Sequence, residues 1–349
     1  MLIDKQVIEL VKMNDLINLK KLILEGLDVN GTYYGAPYLD WAWSSFPEYN
    51  FEIVKLLIDN GANLNEKDFP SIVSAARHGK REDFEYIINR GADINLVSHV
   101  GSSALSHAVS WNNIDGVHAL LELGIDVHTH GGMALRDASY NGNLELVQLL
   151  IEKGADVNYN KPDQVHSDCA TSLHVATSKN FEQVVITLIN NGADPTIKNK
   201  YGERPFSLAK KNQNDNLIEL IKDNEPIQWH NYENKIEELK RKGLPLSIVN
   251  YLGQDRNYLE LIESKYIDFI ELCSIEDVTE FKAKGIKMLN LVYDMDSYGA
   301  MGFIVWIPKH KALGSYDIEH DNLIVFKNVK WNEFIRDPKI LVDRIIDGE

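Results

Sequence analysis

The stretch Leu144–Asn158, LELVQLLIEKGADVN, decides the fold. Val147, Leu150 and Ile151 stand seven, four and three places before Gly154. That spacing sets three apolar side chains on one face of a helix. A glycine at the end supplies the left-handed residue that closes a helix. Working outward, the same ending recurs as GLDVN at Gly26, GANLN at Gly61, GADIN at Gly91, GIDVH at Gly124 and GADPT at Gly192. The glycines are separated by 35, 30, 33, 30 and 38 residues, which is a repeat period rather than chance recurrence. The apolar triplet precedes every one of them: Leu19, Leu22, Ile23; Val54, Leu57, Ile58; Phe84, Ile87, Ile88; Val117, Leu120, Leu121; Val185, Leu188, Ile189.

A shorter pattern lies upstream of each closing helix. It reads TSLHVA at Thr171–Ala176, SALSHA at Ser103–Ala108, MALRDA at Met133–Ala138 and RPFSLA at Arg204–Ala209. Small residues such as Ala75, Ala108, Ala138 and Ala176 allow close approach of a second helix. Gly79, Asn112, Gly142 and Asn180 follow four places later, and both residue types tolerate a left-handed turn between helices.

These residues resemble the ankyrin-repeat family, whose TPLHxA turn, antiparallel helix pair and GADVN loop are matched best at Thr171–Ala176 and Gly154–Asn158. The resemblance covers residues 1–224, about seven units including caps. It implies an α-helical solenoid whose stacked neighbours bury a continuous core that one helix pair cannot form alone. It also implies protein recognition through the loop tips and inner helices of a concave surface. Unit two departs by the loop SSFPEYN, and unit six by the longer finger NKPDQVHSDCA.

Residues 225–234, EPIQWHNYEN, carry no repeat signature and read as a linker or docking segment. Residues 235–349 read as an α+β domain. IEELKRKG and LPLSIVNYL are helical. YLELIE, YIDFIELC, MLNLVYDMD, GFIVWIP and LIVFKN are strand-like. SIEDVTEFKAKG reads as a helix capped by Ser274, and WNEFIRDPKILVDRII as helical with a break before Pro338. Gly243–Pro245, the strand region from Tyr316 and Trp331–Ile335 resemble the SUKH (SMI1/KNR4-like) immunity family. That resemblance implies a bacterial protein that binds and neutralises a toxin.

The chain has 349 residues and a formal net charge of −16. Residues 1–224 hold 20 Lys and Arg against 30 Asp and Glu, and the remainder holds 16 against 22, so both parts are acidic. Such a field disfavours nucleic acid and anionic membranes and favours a basic protein partner, a toxin among them. Cys169 and Cys273 form no CxxC pair. With no signal-peptide pattern and no apolar run of membrane-spanning length, a cytoplasmic location is expected.

Exposed aromatics are the favoured anchors of interfaces. Tyr33, Tyr34, Tyr38, Trp41, Trp43 and Phe46 cluster in unit two. Of these, Tyr33, Tyr34 and Trp43 join Trp111 and Tyr140 as expected partner-binding residues. Asp126, Asp163 and Asp168, on acidic fingers, are expected to meet a partner's Lys and Arg. His128 and His130 are expected in an extended finger. With His166 and His174 they lack the ligand spacing of a metal site, and DMDSYG at Asp294–Gly299 is an incomplete calcium loop. The sequence contains no GxSxG, HExxH, P-loop or dinucleotide fingerprint, so neither a cofactor nor an enzymatic reaction is expected. The reading is a non-catalytic protein-binding protein: an immunity protein that occludes a toxin, or else an ankyrin scaffold or host-directed effector.

Overall fold

A computed structural model describes residues 2–44, 49–163, 166–254, 257–261, 264–296 and 298–347. The chain forms two compact units. The first comprises residues 1–167 and 171–194, the second residues 168–170 and 195–349.

The first unit is a series of helix pairs: α1 Leu2–Lys12 with α2 Leu16–Leu24, α3 Tyr38–Trp43 with α4 Phe51–Asp59, α5 Ser71–Ala75 with α6 Arg81–Ile88, α7 Ala104–Ser110 with α8 Ile114–Glu122, α9 Val127–Tyr140 with α10 Leu144–Glu152, and α11 Ser172–Ser178 with α12 Glu182–Asn190. A short hairpin, β1 Thr32–Tyr33 with β2 Ala36–Pro37, precedes α3. The first helices pack in sequence, α1 on α3, then α5, α7, α9 and α11. Ala42, Ala75, Ala108, Ala138 and Ala176 are buried along that row, where a larger side chain would force the helices apart. The apolar triplets of the second helices divide by depth. Val54, Leu57, Phe84, Ile87, Val117, Leu120, Val147, Leu150, Val185 and Leu188 are fully buried. The third member, as in Ile88, Leu121, Ile151 and Ile189, is only half-buried at the edge of the core.

The closing loops carry a hydrogen-bond ladder that accounts for their asparagine. Asn65 donates from Nδ2 to the Gly91 carbonyl at 2.8 Å and accepts the Asp93 amide at 2.9 Å. Asn158 does the same to Gly192 and Asp194 at 3.0 and 2.8 Å. Asn30 bridges to Gly61 and Asn63 alike. Where the motif carries His128 in place of asparagine, the chain instead begins α9 directly. Asp126 caps that helix, accepting the Thr129 amide and hydroxyl. The expected extended finger around His128 and His130 is therefore helical. Gly131 and Gly132 are what permit it, because a Cβ on Gly132 would lie 2.5 Å from the Tyr159 side chain and one on Gly131 2.9 Å from Ala155. Asn112, Gly142 and Asn180 adopt the expected left-handed turn. Gly79 does not: a Cβ there would lie 2.5 Å from the Ala75 carbonyl oxygen, so close approach is its reason.

The second unit begins with the pair α13 Pro205–Lys211 and α14 Asp215–Asp223. Residues 225–234 hold a 3-10 turn, Ile227–His230, and the start of α15 Tyr232–Arg241. Glu225 is buried between Arg204 (2.7 Å) and His230 (2.9 Å), so this segment is docked within the unit. After α16 Leu246–Leu252 come two antiparallel sheets. One runs β3 Tyr258–Glu260, β4 Phe269–Leu272, β7 Val292–Met295. The other runs β10 Asn322–Phe326, β9 Ala312–Asp317, β8 Val305–Ile307, β6 Ile286–Asn290, β5 Glu280–Ala283. Alternate residues face opposite sides. Leu289, Trp306 and Leu313 join the larger core with Ile248, Phe334 and Leu341 from α16, α17 Trp331–Arg336 and α18 Pro338–Asp347. Met288, Val305 and Ile307 pack with Phe281 and Tyr316 on the other side.

SIEDVTEFKAKG, expected as a helix, is a turn followed by β5. Ser274 donates to Asp277 Oδ2 at 2.6 Å and closes the turn. Phe281 then buries itself between Glu280 and Lys282, a two-residue alternation. Lys284 and Gly285, both at positive φ, make the two-residue hairpin loop that joins β5 to β6.

Candidate protein-binding surface

The sequence-predicted aromatics separate into core and surface. Trp43 is 1% exposed, donates from Nε1 to Ser71 Oγ at 2.9 Å and packs on Tyr49 and Phe51. It is a core residue, which removes it from any partner surface. Tyr38 is equally buried, donating to Asp4 at 2.6 Å. Phe46 lies outside the described residues. Tyr33 and Tyr34 stand at the hairpin tip with ring centroids 4.4 Å apart, and Tyr34 is 88% exposed. Trp41 donates to the Tyr33 carbonyl and carries the Lys12 ammonium 4.9 Å from its ring centroid.

Trp111 and Tyr140 are each 45% exposed. Both sit at the C-terminal ends of first helices, Trp111 as the cap of α7 and Tyr140 as the last residue of α9. Each carries a cation on its ring. The Arg77 guanidinium, just beyond α5, lies 3.7 Å from the Trp111 ring centroid, and the Lys179 ammonium, at the end of α11, lies 4.4 Å from that of Tyr140. Four neighbouring first helices thus end in a row: Arg77, Trp111, Tyr140, Lys179. His78 and His107 flank the indole. Burial, then the charge of Arg77, holds His78 below the ordinary imidazole range and His107 down to about 4, so both are neutral donors or acceptors at pH 7.

Below the row lies a buried polar group. Arg136, fully buried, contacts Asp163 and donates to the Lys161 carbonyl at 3.0 Å. Asp163 also accepts the His166 amide at 2.6 Å. Its side chain is 8% exposed, so Asp163 neutralises an internal arginine and is unavailable to a partner's base, contrary to expectation. Asp137, next in α9, accepts from Ser110 at 3.2 Å, and burial raises its carboxyl to about 7 against the smaller influence of Ser110. Asp126 is exposed, but its carboxylate is engaged by Thr129, which holds it below the usual range. Asp168 is half-buried in the second unit, accepting the Ala170 amide at 3.3 Å. Asp163 and Asp126 are thus both engaged within the first unit, and Asp168 belongs to the second.

His174 pairs with Thr171 Oγ1 at 2.8 Å inside the helix cap of α11. Asp296 accepts the Asp268 and Phe269 amides. No metal-holding group of three His, Cys, Asp or Glu occurs among the described residues. Among those residues, too, no helix is long and apolar enough to cross a membrane.

Sequence reasoning missed Arg77 and Lys179. The signal was present in the repeat period: residues 77 and 111 are 34 apart, close to one repeat, and so lie side by side on successive units.

A family model described as ankyrin repeats (3 copies) matches residues 72–161, and another described as ankyrin repeats (many copies) matches residues 135–189. This part of the chain carries ankyrin repeats. The row from Arg77 to Lys179 lies wholly within it. Among curated proteins, the ankyrin repeat and KH domain-containing protein mask-1 of Caenorhabditis elegans is 29% identical over 206 residues, 55% of this chain and 8% of the relative. A putative ankyrin repeat protein of Acanthamoeba polyphaga mimivirus is 30% identical over 183 residues, 50% of this chain and 51% of the relative. The B-cell lymphoma 3 protein homolog of Mus musculus is 28% identical over 182 residues, 49% of this chain and 39% of the relative. The chain thus spans between 8% and 51% of the length of these relatives. Ankyrin repeats imply a role in protein–protein interaction.

Proposed function

We propose that the chain is a non-catalytic binding protein that seats a protein partner on the C-terminal ends of its first helices. One observation carries this reading. Trp111 and Tyr140 are each 45% exposed and stand outside the buried core of their helix pairs. Large aromatics held open on a rigid row of helices have the properties of interface anchors. Tyr33 and Tyr34 at the hairpin tip extend the same surface in this reading, and Asp126 serves at its margin; Asp168 offers a separate contact from the second unit.

The scaffold form of this role is supported by the ankyrin repeats themselves. A second form, immunity against a basic toxin, is supported by the net charge of −16 and by the C-terminal resemblance at Gly243–Pro245 and Trp331–Ile335. In that form the protein works in a reducing compartment, consistent with Cys169 and Cys273 being free thiols. The test is affinity capture with wild type and Trp111→Ala, at low and high salt. Trp111→Ala is expected to weaken the specific partner by roughly 2 kcal/mol. Identical capture by both forms would refute the anchor role. A single basic partner lost at high salt selects immunity; salt-resistant capture of several proteins selects the scaffold.

A further inference from the structure

Arg77 is the cation at one end of this row and lacks an acidic partner among the described residues. Acidic residues outnumber basic ones by 52 to 36, yet among the described residues Arg77 has no carboxylate partner and no hydrogen bond. Its Nε is buried and unsatisfied. Its neighbours offer no anion: Trp111 takes the face of the guanidinium, while His78 and His107 are close to Trp111 and neutral. With Nε buried, the two terminal Nη groups are the part of the planar fork left open, and they match a carboxylate with two parallel N–H donors. Lys179 repeats the arrangement on Tyr140, with no ion pair among the described residues.

We propose that the row Arg77–Trp111–Tyr140–Lys179 recognises an extended acidic segment of a partner protein, one carboxylate engaging Arg77 and a second engaging Lys179, with apolar residues between them covering the two rings. This rests on the reading of that row as the partner surface and specifies its chemistry. Trp111 and Tyr140 belong to adjacent packed helices, α7 and α9. Helix axes in contact lie roughly 8–10 Å apart. Along the row the cations flank the rings at 3.7 and 4.4 Å, so they stand roughly 16–18 Å apart. An extended chain advances about 3.3 Å per residue and returns a side chain to the same face every second residue, so acids at i and i+6, with apolar residues at i+2 and i+4, reach both cations and both rings. The net charge of −16 repels a polyanion such as nucleic acid, whereas a short segment with two acids answers two local cations. The local demand is thus opposite in sign to the whole-molecule field.

The test is selection of a display library of random twelve-residue peptides on the full chain. Individual peptides are then measured by fluorescence polarisation against wild type, Arg77→Gln, Arg77→Lys and Tyr140→Ala. Peptides weakened by Tyr140→Ala are the ones bound at this row. They are expected to carry Asp or Glu at i and i+6, on one face of the extended chain. Arg77→Gln is expected to weaken them at least tenfold and Arg77→Lys less. Changing the peptide's own acid to its amide should abolish the dependence on Arg77. That last arm leaves the protein unaltered, so it decides the matter even if an Arg77 variant folds poorly. Row-binding peptides that lack acids, or that bind Arg77→Gln as tightly as wild type, overturn the carboxylate proposal and leave the partner surface standing. Selection of no peptide sensitive to Tyr140→Ala overturns both.

Discussion

At the scale of single residues, charge is managed by depth. Arg136 is fully buried and is satisfied by Asp163 and the Lys161 carbonyl, which accept from it; removing one partner of such a pair leaves a desolvated charge. Asp137 sits beside this pair without a cation of its own, and burial holds its proton on to about pH 7. The sign of the consequence follows. The folded state binds this proton more tightly than the unfolded chain does. The stabilisation is complete below the ordinary carboxylate range and is lost as pH rises from there through about 7. Asp137→Asn keeps an acceptor for Ser110 and cannot ionise. Its melting temperature relative to wild type is expected to rise by a few degrees between pH 5 and pH 8. A pH-independent difference in thermal scans would show that Asp137 does not titrate as its burial dictates.

At the scale of elements, stability comes from the faces that successive pairs share. Leu150 in α10 is fully buried, and Leu150→Ala should cost roughly 2–5 kcal/mol in denaturant unfolding, since neighbouring helices cannot collapse into the gap. The loop ladder is a smaller, separable contribution. Asn65→Ala removes two exposed hydrogen bonds, to Gly91 and from Asp93, and should cost about 1–2 kcal/mol. An unchanged denaturation midpoint would mean that water replaces the ladder fully. Gly132→Ala tests the close approach in α9. Alanine is the better helix former, so helix propensity alone predicts stabilisation; collision with Tyr159 predicts loss of stability, which is the expected outcome.

At the scale of the whole molecule, each unit keeps a buried ion pair of its own, Arg136–Asp163 in the first and Arg204–Glu225 in the second. In the second unit the fully buried Glu225 carboxylate is held by Arg204 and His230. A fragment beginning at residue 225 lacks Arg204, whereas one beginning at residue 195 keeps it. The shorter fragment is expected to be less stable by roughly 3–5 kcal/mol in urea, or to fail to fold, because a buried carboxylate loses its cation. Equal midpoints would place the working boundary at 224 instead.

The repeat was legible because its causes are local. Period, helix face, cap glycine and loop asparagine each act within one unit of about 33 residues, so periodicity in the chain reports them directly. The helical ends at Pro245 and Trp331 were legible for the same reason. Depth was not. Trp43 and Trp111 are the same residue type near the ends of first helices, yet one bonds Ser71 in the core and the other lies under Arg77 at the surface. Asp163 and Asp126 look alike on their fingers, yet one serves a buried arginine and the other a helix cap. The strand at Glu280–Ala283 defeated helix propensity because its partner strand and the hairpin loop, not its own composition, set its conformation. The sequence by itself determined the repeated units and their stacking surfaces, since these follow from near-neighbour spacing. Only the tertiary structure decided which aromatics stay exposed and which cations stay unpaired, because burial and pairing are set by residues one repeat or more away in the chain.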